Sequence, residues 1–394
     1  MTLKKLNLVP RLRFPEYRDE GQWELEALGS VCNLYQSETL SASELNQEGP
    51  YLVYGANGII GKHDRYNHED SKVTLTCRGA SCGEVNRTKP KSWITGNAMI
   101  VESKSGRIDE DFVFHSLKSE RLKSVISGSA QPQITRAGLS PYKLTFPESK
   151  NEQLHIADCL SSLDDVTAAE DRKLEVLRKH KQGLMQQLFP QPGETVPRLR
   201  FPEFADAPQW QISTFGERCE SFSGSTPDTS KENYYGGTIP FIRSAEIGRD
   251  ETEIFLTKEG LENSAAKMVK RGDLLVALYG ANSGDTALAR VHGAINQAII
   301  CLRSADSAPY LCQFLTARKN WIITTYLQGG QGNLSGQIVL QVPLCFPHKD
   351  EQQKIADCLG SLDDLIETKD QNLEALRQHK KGLLQQLFPS LETG

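Results

Sequence analysis

The chain has 394 residues, about two to three times the usual size of a domain, so we expect at least two independent cores. With 38% hydrophobic and 24% charged residues, no membrane-spanning apolar run and no basic-apolar leader at Met1, it reads as a soluble, cytoplasmic globular protein. The 45 Lys and Arg against 50 Asp and Glu give a net charge of −5, which disfavours a nucleic-acid binder acting alone.

The first recognisable segment is Val-Pro-Arg-Leu-Arg-Phe-Pro-Glu at residues 9–16. It recurs letter for letter at residues 196–203, and Trp23 recurs as Trp210 at the same spacing. Eight identical letters in series indicate an internal duplication.

A globular module follows this segment. Between Tyr51 and Val101, short β-prone runs alternate with Gly-Asn turns, which predicts a compact mixed α+β module. The glycine-rich stretch 55–61 has neither the spacing of a dinucleotide fingerprint nor the Lys-Ser/Thr of a Walker motif, so it does not predict nucleotide binding. The predicted strands are Leu52–Tyr54, Val73–Thr76 and Ala98–Val101.

Polar side chains on the turns of this module suit DNA base edges and phosphates, because Arg, Lys, Asn and Gln are the residues that read bases. For any single residue a solvated surface side chain is the plainer interpretation, whereas the cluster at residues 87–91 suits phosphate contact. Two amides before the next helix fit either an adenine contact or a simple turn. The candidates are Asn57, Lys62, Arg65, Tyr66, Arg78, Arg87, Lys89, Lys91, Gln131 and Gln133.

A long helix is predicted from about Glu152 to Leu188. Apolar residues recur there at alternating spacings of four and three, with three polar gaps, which is typical of an a/d coiled-coil seam. Pro147 and Pro190 flank it as helix-breaking residues. The helix would span roughly 37 residues, about 55 Å.

The second module resembles the first at its borders and diverges inside. Gly79–Gly83 can be laid on Gly280–Gly284, and Asn97 on Asn296. Its predicted strands are Ile239–Ile242, Ile254–Leu256, Asp273–Leu278 and Ala298–Leu302, and its predicted helix is Pro309–Tyr326. Candidate DNA contacts, of which the tyrosines equally fit a core, are Tyr234, Tyr235, Arg243, Ser244, Lys267, Tyr279, Asn282, Asn296, Gln297, Gln331 and Asn333.

A second long helix repeats the seam of the first between Ile355 and Leu387. An isolated heptad pattern favours an ordinary dimerisation zipper, but the tandem copy favours packing of the two helices on each other as an antiparallel coiled coil. We therefore predict an α+β protein with a pseudo-two-fold internal repeat, in which two mixed α/β globular modules alternate with two long helices. The predicted segments are residues 1–147, 148–190, 191–347 and 348–394.

Over nearly its whole length, this alternation resembles the specificity subunits of type I restriction-modification systems. The sequence segments that carry the resemblance are Tyr54–Ile59, Gly79–Gly83, Ile242–Ser244, Gly260–Lys267, Gly272–Leu275 and the helix starts Glu152–Ala157 and Glu351–Ala356. The resemblance implies two target-recognition domains that each read one half of a bipartite double-stranded DNA target, with the helices fixing the gap.

The resemblance also implies the partners. The helices would dock two modification (methyltransferase) subunits, which bind S-adenosylmethionine and methylate adenine N6, and restriction subunits would add ATP- and Mg-dependent translocation and cleavage. The chain itself would hold no cofactor and no metal and would catalyse nothing.

Two other functions remain open at this stage. A scaffold with two modules for two protein partners would share the repeat and the helices but would show no sequence-dependent affinity for DNA. An enzyme would need a cofactor loop or a catalytic motif, and neither a methyltransferase Asn/Asp-Pro-Pro-Tyr element nor GxSxG or HExxH occurs. The nine cysteines lack the paired spacing of a zinc site, so we expect reduced thiols and no metal.

Overall fold

The computed structural model of the chain describes residues 8–56, 58–104, 106–119, 122–128, 131–326 and 333–389. The chain forms two compact units. The first comprises the described residues of Met1–Asp171 and Gln371–Gly394, and the second is Arg172–Asp370. Each unit therefore combines one module with half of each long helix, and the predicted domain limits at 147, 190 and 347 stay predictions.

The strands of the first unit form three sheets. The strands are β1 (Glu24–Ala27), β2 (Cys32–Gln36), β3 (Tyr51–Gly55), β4 (Gly58–His63), β5 (Val73–Thr76), β6 (Val85–Arg87), β7 (Trp93–Ile94), β8 (Ala98–Ser103) and β9 (Lys143–Phe146). The sheet orders are β2-β8-β5-β6, β4-β3-β7 and β1-β9. All pairs are antiparallel except β3 with β7. The helices are α1 (Leu28–Val31), α2 (Glu110–Ser119), α3 (Arg136–Leu139) and α4 (Lys150–Leu188), which continues into the second unit.

The second unit repeats this plan. Its strands are β10 (Gln211–Thr214), β11 (Cys219–Ser223), β12 (Tyr235–Ile242), β13 (Phe255–Leu256), β14 (Lys267–Val269), β15 (Leu274–Ala277), β16 (Thr286–Leu288), β17 (Gly293–Ile295), β18 (Ile299–Ser304) and β19 (Pro343–Phe346). The sheet orders are β11-β18-β15-β16, β13-β12-β17-β14 and β10-β19. The helices are α5 (Phe215–Arg218), α6 (Lys258–Glu262), α7 (Ala308–Tyr326), α8 (Gly336–Gln341) and α9 (Lys349–Leu387).

The two modules share a core topology and differ at one sheet. In both modules the four-stranded antiparallel sheet has the same strand order. The second sheet of each module contains one parallel pair, which is β3 with β7 in the first module and β12 with β17 in the second. On the other side of the parallel pair, β4 lies antiparallel to β3 in the first module and β13 lies antiparallel to β12 in the second. The second module adds one strand, β14, beside β17. The predicted fold class and the internal repeat are confirmed.

The long helices run antiparallel inside each unit. In the first unit Asp164 pairs with Lys380, and Asp171 with Arg377 at 2.9 Å. The second unit has the same two kinds of pair, but with the basic residue on α4 and the aspartate on α9. Lys181 pairs with Asp363 and Arg178 with Asp370, each at 2.5 Å. The residues of the predicted seam are buried or half-buried.

The repeated aromatic residues build the two cores. Phe388, which follows α9, packs on Trp23 and Phe112 at ring-centroid distances of 6.0 and 5.4 Å. Its counterpart Phe189, which follows α4, packs on Tyr310 at 5.7 Å. Each helix end is thereby tied to a module core by apolar burial, which explains why Trp and Leu-Phe-Pro recur.

Candidate nucleic-acid interface

One arginine of each repeated border segment, buried Arg13 and half-buried Arg200, connects that segment to a long helix within its unit. The Arg13 guanidinium donates to both carboxylate oxygens of Glu152 at 2.8 Å, and to the carbonyl oxygens of Glu20 and Gly21 at 2.8 and 3.0 Å. The Arg200 guanidinium likewise donates to both carboxylate oxygens of Glu351, at 2.8 Å each. The hydrogen bond to Glu152 raises the pKa of Arg13. The first-turn glutamate of each long helix is therefore locked to its border segment.

In the first module, the β3–β4 hairpin and the loop after it carry several candidates. Lys62, Arg65 and Tyr66 are exposed, and the ring of Tyr66 lies 4.9 Å from that of Tyr51 in an edge-to-face contact. Among the described residues, neither Lys62 nor Arg65 forms an ion pair, so both charges face solvent. Asn57 lies outside the described residues.

Two loops of the first module meet through their backbones. Gly79 N–H donates to the carbonyl oxygen of Pro132 at 3.2 Å, and Arg78 forms an isolated bridge with Gln133. The side chains of Arg78, Gln131 and Gln133 are exposed. The structure thus brings together a cation and two amides that are more than fifty positions apart in sequence.

The second module joins the equivalent loops. Leu334 N–H donates to the carbonyl oxygen of Leu278 at 2.8 Å, and Gly280 N–H donates to Oδ1 of Asn333 at 3.2 Å. Tyr279 is 40% exposed beside them, and Asn282 is half-buried on the same loop. Gln331 lies outside the described residues.

The basic cluster at residues 87–91 is divided by the fold. Arg87 is half-buried, donates from Nε to the Ser71 hydroxyl at 3.1 Å and pairs with Asp111. Lys89 is exposed, and Lys91 is exposed at a positive φ of 51° with Glu69 3.5 Å away. Lys89 presents its charge to solvent and Lys91 forms an exposed ion pair with Glu69, whereas Arg87 is engaged inside the module.

Several candidates of the second module are tied down by hydrogen bonds. Tyr234 is 5% exposed and belongs to the core, and Tyr235 donates its hydroxyl to the carbonyl oxygen of Pro227 at 2.6 Å. Oδ1 of Asn296 accepts from Ala298 N–H at 3.0 Å, and Oε1 of Gln297 accepts from the Thr226 hydroxyl at 2.8 Å. Gln297 is nevertheless exposed.

Arg243 is also held by neighbours. It donates to Glu246 at 2.7 Å and to Glu253 at 2.5 Å, and the hydrogen bond to Glu246 is the largest cause that raises its pKa. Ser244 and Asn282 line one open cleft of about 250 Å³, which also contains the ion pair of Asp285 with Lys319. The structure thus places two sequence-predicted residues in a polar cleft of the second unit.

Lys267 is exposed and has further cations after it in the chain. Lys270 and Arg271, in the turn between β14 and β15, are exposed and were not among the predicted contacts. The sequence Lys-Arg-Gly in this turn, a basic pair before a glycine, could have identified them as candidates.

Neither a metal centre nor a membrane span was found in the described part of the chain. Among those residues, His, Cys, Asp and Glu form no group of three or more that could hold a metal ion. None of the described helices combines the length and apolar content that a bilayer crossing requires.

Comparison with known proteins gives consistent matches over the chain. A family model described as "Type I restriction modification DNA specificity domain" matches residues 20–179 and 208–378, well over half of the sequence. The MjaVIII specificity subunit of Methanocaldococcus jannaschii is 24% identical, and the alignment covers 96% of this chain and 93% of that protein. The EcoprrI specificity subunit of Escherichia coli is 31% identical over 38% of each chain.

Solved structures show the same fold. The crystal structure of the type I restriction-modification S subunit from M. genitalium superposes with a TM-score of 0.73 at 19% identity, covering 97% of this chain and 100% of that one. A chain from a structural study of complex assembly and conformational transition of the type I system gives a TM-score of 0.54 at 16% identity, covering 93% and 98%.

Proposed function

This chain belongs to the type I restriction-modification DNA specificity family, and from that premise we propose that each of its two modules reads one half of a bipartite double-stranded DNA target. One observation carries the proposal. Both modules join the same two loops through the backbone but equip them with different side chains, Arg78 and Gln133 in one module and Tyr279 and Asn333 in the other.

The chemistry of these loops supports reading of bases. Gln and Asn amides pair with adenine, and Arg pairs with guanine, because their donors and acceptors match the base edges in the major groove. Exposed cations outside the loops, Lys62, Arg65 and Lys89 in the first module and Lys267 in the second, suit phosphates. The other candidates of the sequence analysis that remain exposed complete the proposed contact set.

The catalytic work would belong to partner subunits. The spacer helices α4 and α9 would dock two modification subunits that carry S-adenosylmethionine and methylate adenine N6, and restriction subunits would use ATP and Mg²⁺. The chain would act in the cytoplasm, without a cofactor of its own. Basic partner surfaces would supply phosphate neutralisation that a chain of net charge −5 lacks.

The test is to map methylated adenines in DNA from cells that co-express this chain with its neighbouring methyltransferase gene, against cells that carry the empty vector. We expect N6-methyladenine in a single bipartite motif. A stable complex that methylates no motif would refute DNA reading and favour the protein scaffold.

A further inference from the structure

The exposed apolar side chains of the first module are concentrated on one edge. Isolated exposed apolar residues are ordinary on a protein surface, whereas a group of them indicates a contact. Among the described residues of 24–147, the large exposed hydrophobic side chains are Ile59, Ile60 and Tyr66, at 55%, 43% and 37%. All three lie on β4 or on the loop that follows it. The core of the module does not explain this group, because its members point away from that core.

The backbone of the hairpin determines how the two isoleucines differ. β4 is an edge strand of its sheet, and an unpaired edge with apolar side chains favours association with another molecule. Ile60 lies against β3, because a Cβ added at Gly55 would be 2.8 Å from the Cγ2 atom of Ile60. Ile59 follows Gly58, whose φ of +86° belongs to the turn into β4. Ile59 is the most exposed large apolar side chain among the described residues of the module.

This end of the hairpin lies beside the loops proposed above to read bases. The Thr76 hydroxyl donates to the carbonyl oxygen of Ala56, in the turn between β3 and β4. Thr76 is the last residue of β5, two positions before Arg78, which forms the bridge with Gln133. Ile59 and the proposed reading loops therefore share one end of the module.

The charges around the isoleucines favour a polyanionic partner. Lys62 and Arg65 are exposed, and neither forms an ion pair within the described part of the chain. Lys89 is close to the same hairpin, since its N–H donates to the Tyr54 hydroxyl at 3.0 Å. One carboxylate, Asp64, lies between the first two cations and already accepts a side-chain hydrogen bond at 2.9 Å. Apolar side chains bordered by cations suit a DNA groove, where phosphates flank stacked bases, whereas protein interfaces are depleted of Lys.

The second module does not have this hairpin. There β12 is connected to β13 by residues 243–254, which carry three exposed carboxylates, Asp250, Glu251 and Glu253, against one exposed arginine, Arg249. Carboxylates are repelled by the phosphates that line a groove. An effect of the apolar edge on DNA should therefore be confined to one half-site.

We propose that Ile59 enters the duplex of the half-site bound by the first module and partly unstacks one base step. The inference rests on the proposed function, which supplies the duplex. An apolar side chain inserted between base pairs leaves water, and the resulting kink brings more of the protein against the DNA. Pyrimidine–purine steps unstack most readily, so Ile59 adds a preference for such a step without a hydrogen bond to its bases.

The experiment uses the complex of the full chain with its modification subunits, bound to a duplex that carries the mapped methylation motif. 2-Aminopurine, whose fluorescence rises when it is unstacked, replaces one adenine or one unspecified base at a time. The methylated adenines are left in place, because a methyltransferase flips its target base. Ile59→Ala removes the inserted side chain, and Ile59→Leu keeps an apolar one. Ile212→Ala is the matched control, since Ile212 lies on β10 and is 56% exposed.

We expect a rise in fluorescence at one half-site only. The rise should be lost with Ile59→Ala and kept with Ile59→Leu and Ile212→Ala. Insertion is refuted if the wild type shows no rise, if Ile59→Ala keeps it, or if the control loses it equally. Release of a modification subunit by Ile59→Ala in native mass spectrometry would also refute it and assign the edge to a protein partner. In all these cases bipartite methylation by the wild type leaves the proposed function standing, whereas the absence of any motif refutes both.

Discussion

The buried pair of Arg13 and Glu152 should be among the most sensitive points of the chain. Their side chains are 6% and 0% exposed, and Glu152 also accepts from the Trp23 indole at 3.4 Å. Replacing Glu152 with Ala removes the bidentate partner of a buried guanidinium and leaves it only the more exposed carboxylate of Glu20 at 3.8 Å. Loss of a buried partner typically costs about 3–5 kcal/mol. Denaturant unfolding should show a loss of that size for Glu152→Ala.

The control for this prediction is an exposed ion pair. Arg178 and Asp370 are 56% and 44% exposed, and such pairs contribute less than about 1 kcal/mol. Asp370→Ala should therefore leave unfolding almost unchanged. Equal losses in the two variants would show that burial does not set the strength of these ties.

His115 makes the first unit sensitive to acid. It is fully buried, its Nδ1 atom has no hydrogen-bond partner, and burial lowers its pKa to about 3, with Lys380 and Lys118 adding to the effect and Asp164 opposing it. The unfolded chain binds a proton below about pH 6.5, whereas the folded chain does not, so stability falls as the pH drops from 6.5 towards 3.

His115→Gln removes this titration and introduces the residue found at the matching place of the second unit, Gln313. Between pH 7.0 and 5.5 the wild type should lose about 1 kcal/mol more unfolding free energy than the variant. Denaturant titrations at both pH values measure the difference. Parallel pH dependence of the two proteins would contradict a neutral, buried His115.

The exposed cations should act through phosphates. Lys62→Ala and Lys89→Ala should each weaken binding of the assembled complex to any duplex, and each should lower the slope of log affinity against log salt by about 0.9. Lys179→Ala, on α4 and 71% exposed, is the matched control and should leave the slope unchanged. Fluorescence titrations at several salt concentrations measure this slope for each variant and for the control.

Residue types alone could suggest candidate DNA contacts, but they could not show which candidates are exposed and which are buried or held by other side chains. Lys62 and Lys89 remain exposed as expected of contacts, while Tyr234 is buried and Arg243 is held by two glutamates. Their environment depends on neighbours distant in sequence, such as Asp111 for Arg87. The meeting of Arg78 with Gln133 is likewise tertiary information that no local pattern contains.

At the scale of elements, the ion pairs between α4 and α9 should be energetically equivalent in the two units. Lys380 and Lys181 are 11% and 13% exposed, and their aspartates 40% and 46%. Double-mutant cycles on Asp164 with Lys380 and on Asp363 with Lys181 should each give a coupling of about 1–3 kcal/mol. The exposed pair of Asp171 and Arg377 should give less than about 1 kcal/mol.

These cycles are measured by denaturant unfolding of the single and double variants. A clear coupling in one unit and none in the other would contradict equivalent helix packing in the two units. Gln313 also donates to Asp363 at 2.6 Å, so the single variant Asp363→Ala should cost more than Asp164→Ala without changing the coupling.

The long helices and several strands could be predicted because their patterns are local. The seam predicted α4 and α9 closely, and Val73–Thr76 is β5 residue for residue. Helix α2 was missed because Phe112–Leu117 is buried on every side, and such a helix lacks the apolar–polar period of a surface helix. The strand orders of the sheets could not be predicted either, since many paired strands lie far apart in the chain.

At the scale of the whole molecule, the two modules keep the same core residues and differ in the loops that we propose to read DNA. Repeated Trp, Phe, Arg and Glu residues build the cores and the ties, so the frame tolerates different loops on the same strands. This organisation predicts that one module can be exchanged without changing the work of the other.

The most direct test is therefore to replace residues 24–147 with the corresponding module of a related subunit and to map N6-methyladenine in cells that also express the modification subunit. The account predicts a bipartite motif in which one half is new and the other half is that of the parent. A motif altered in both halves after this single exchange would contradict the assignment of one half-site to each module.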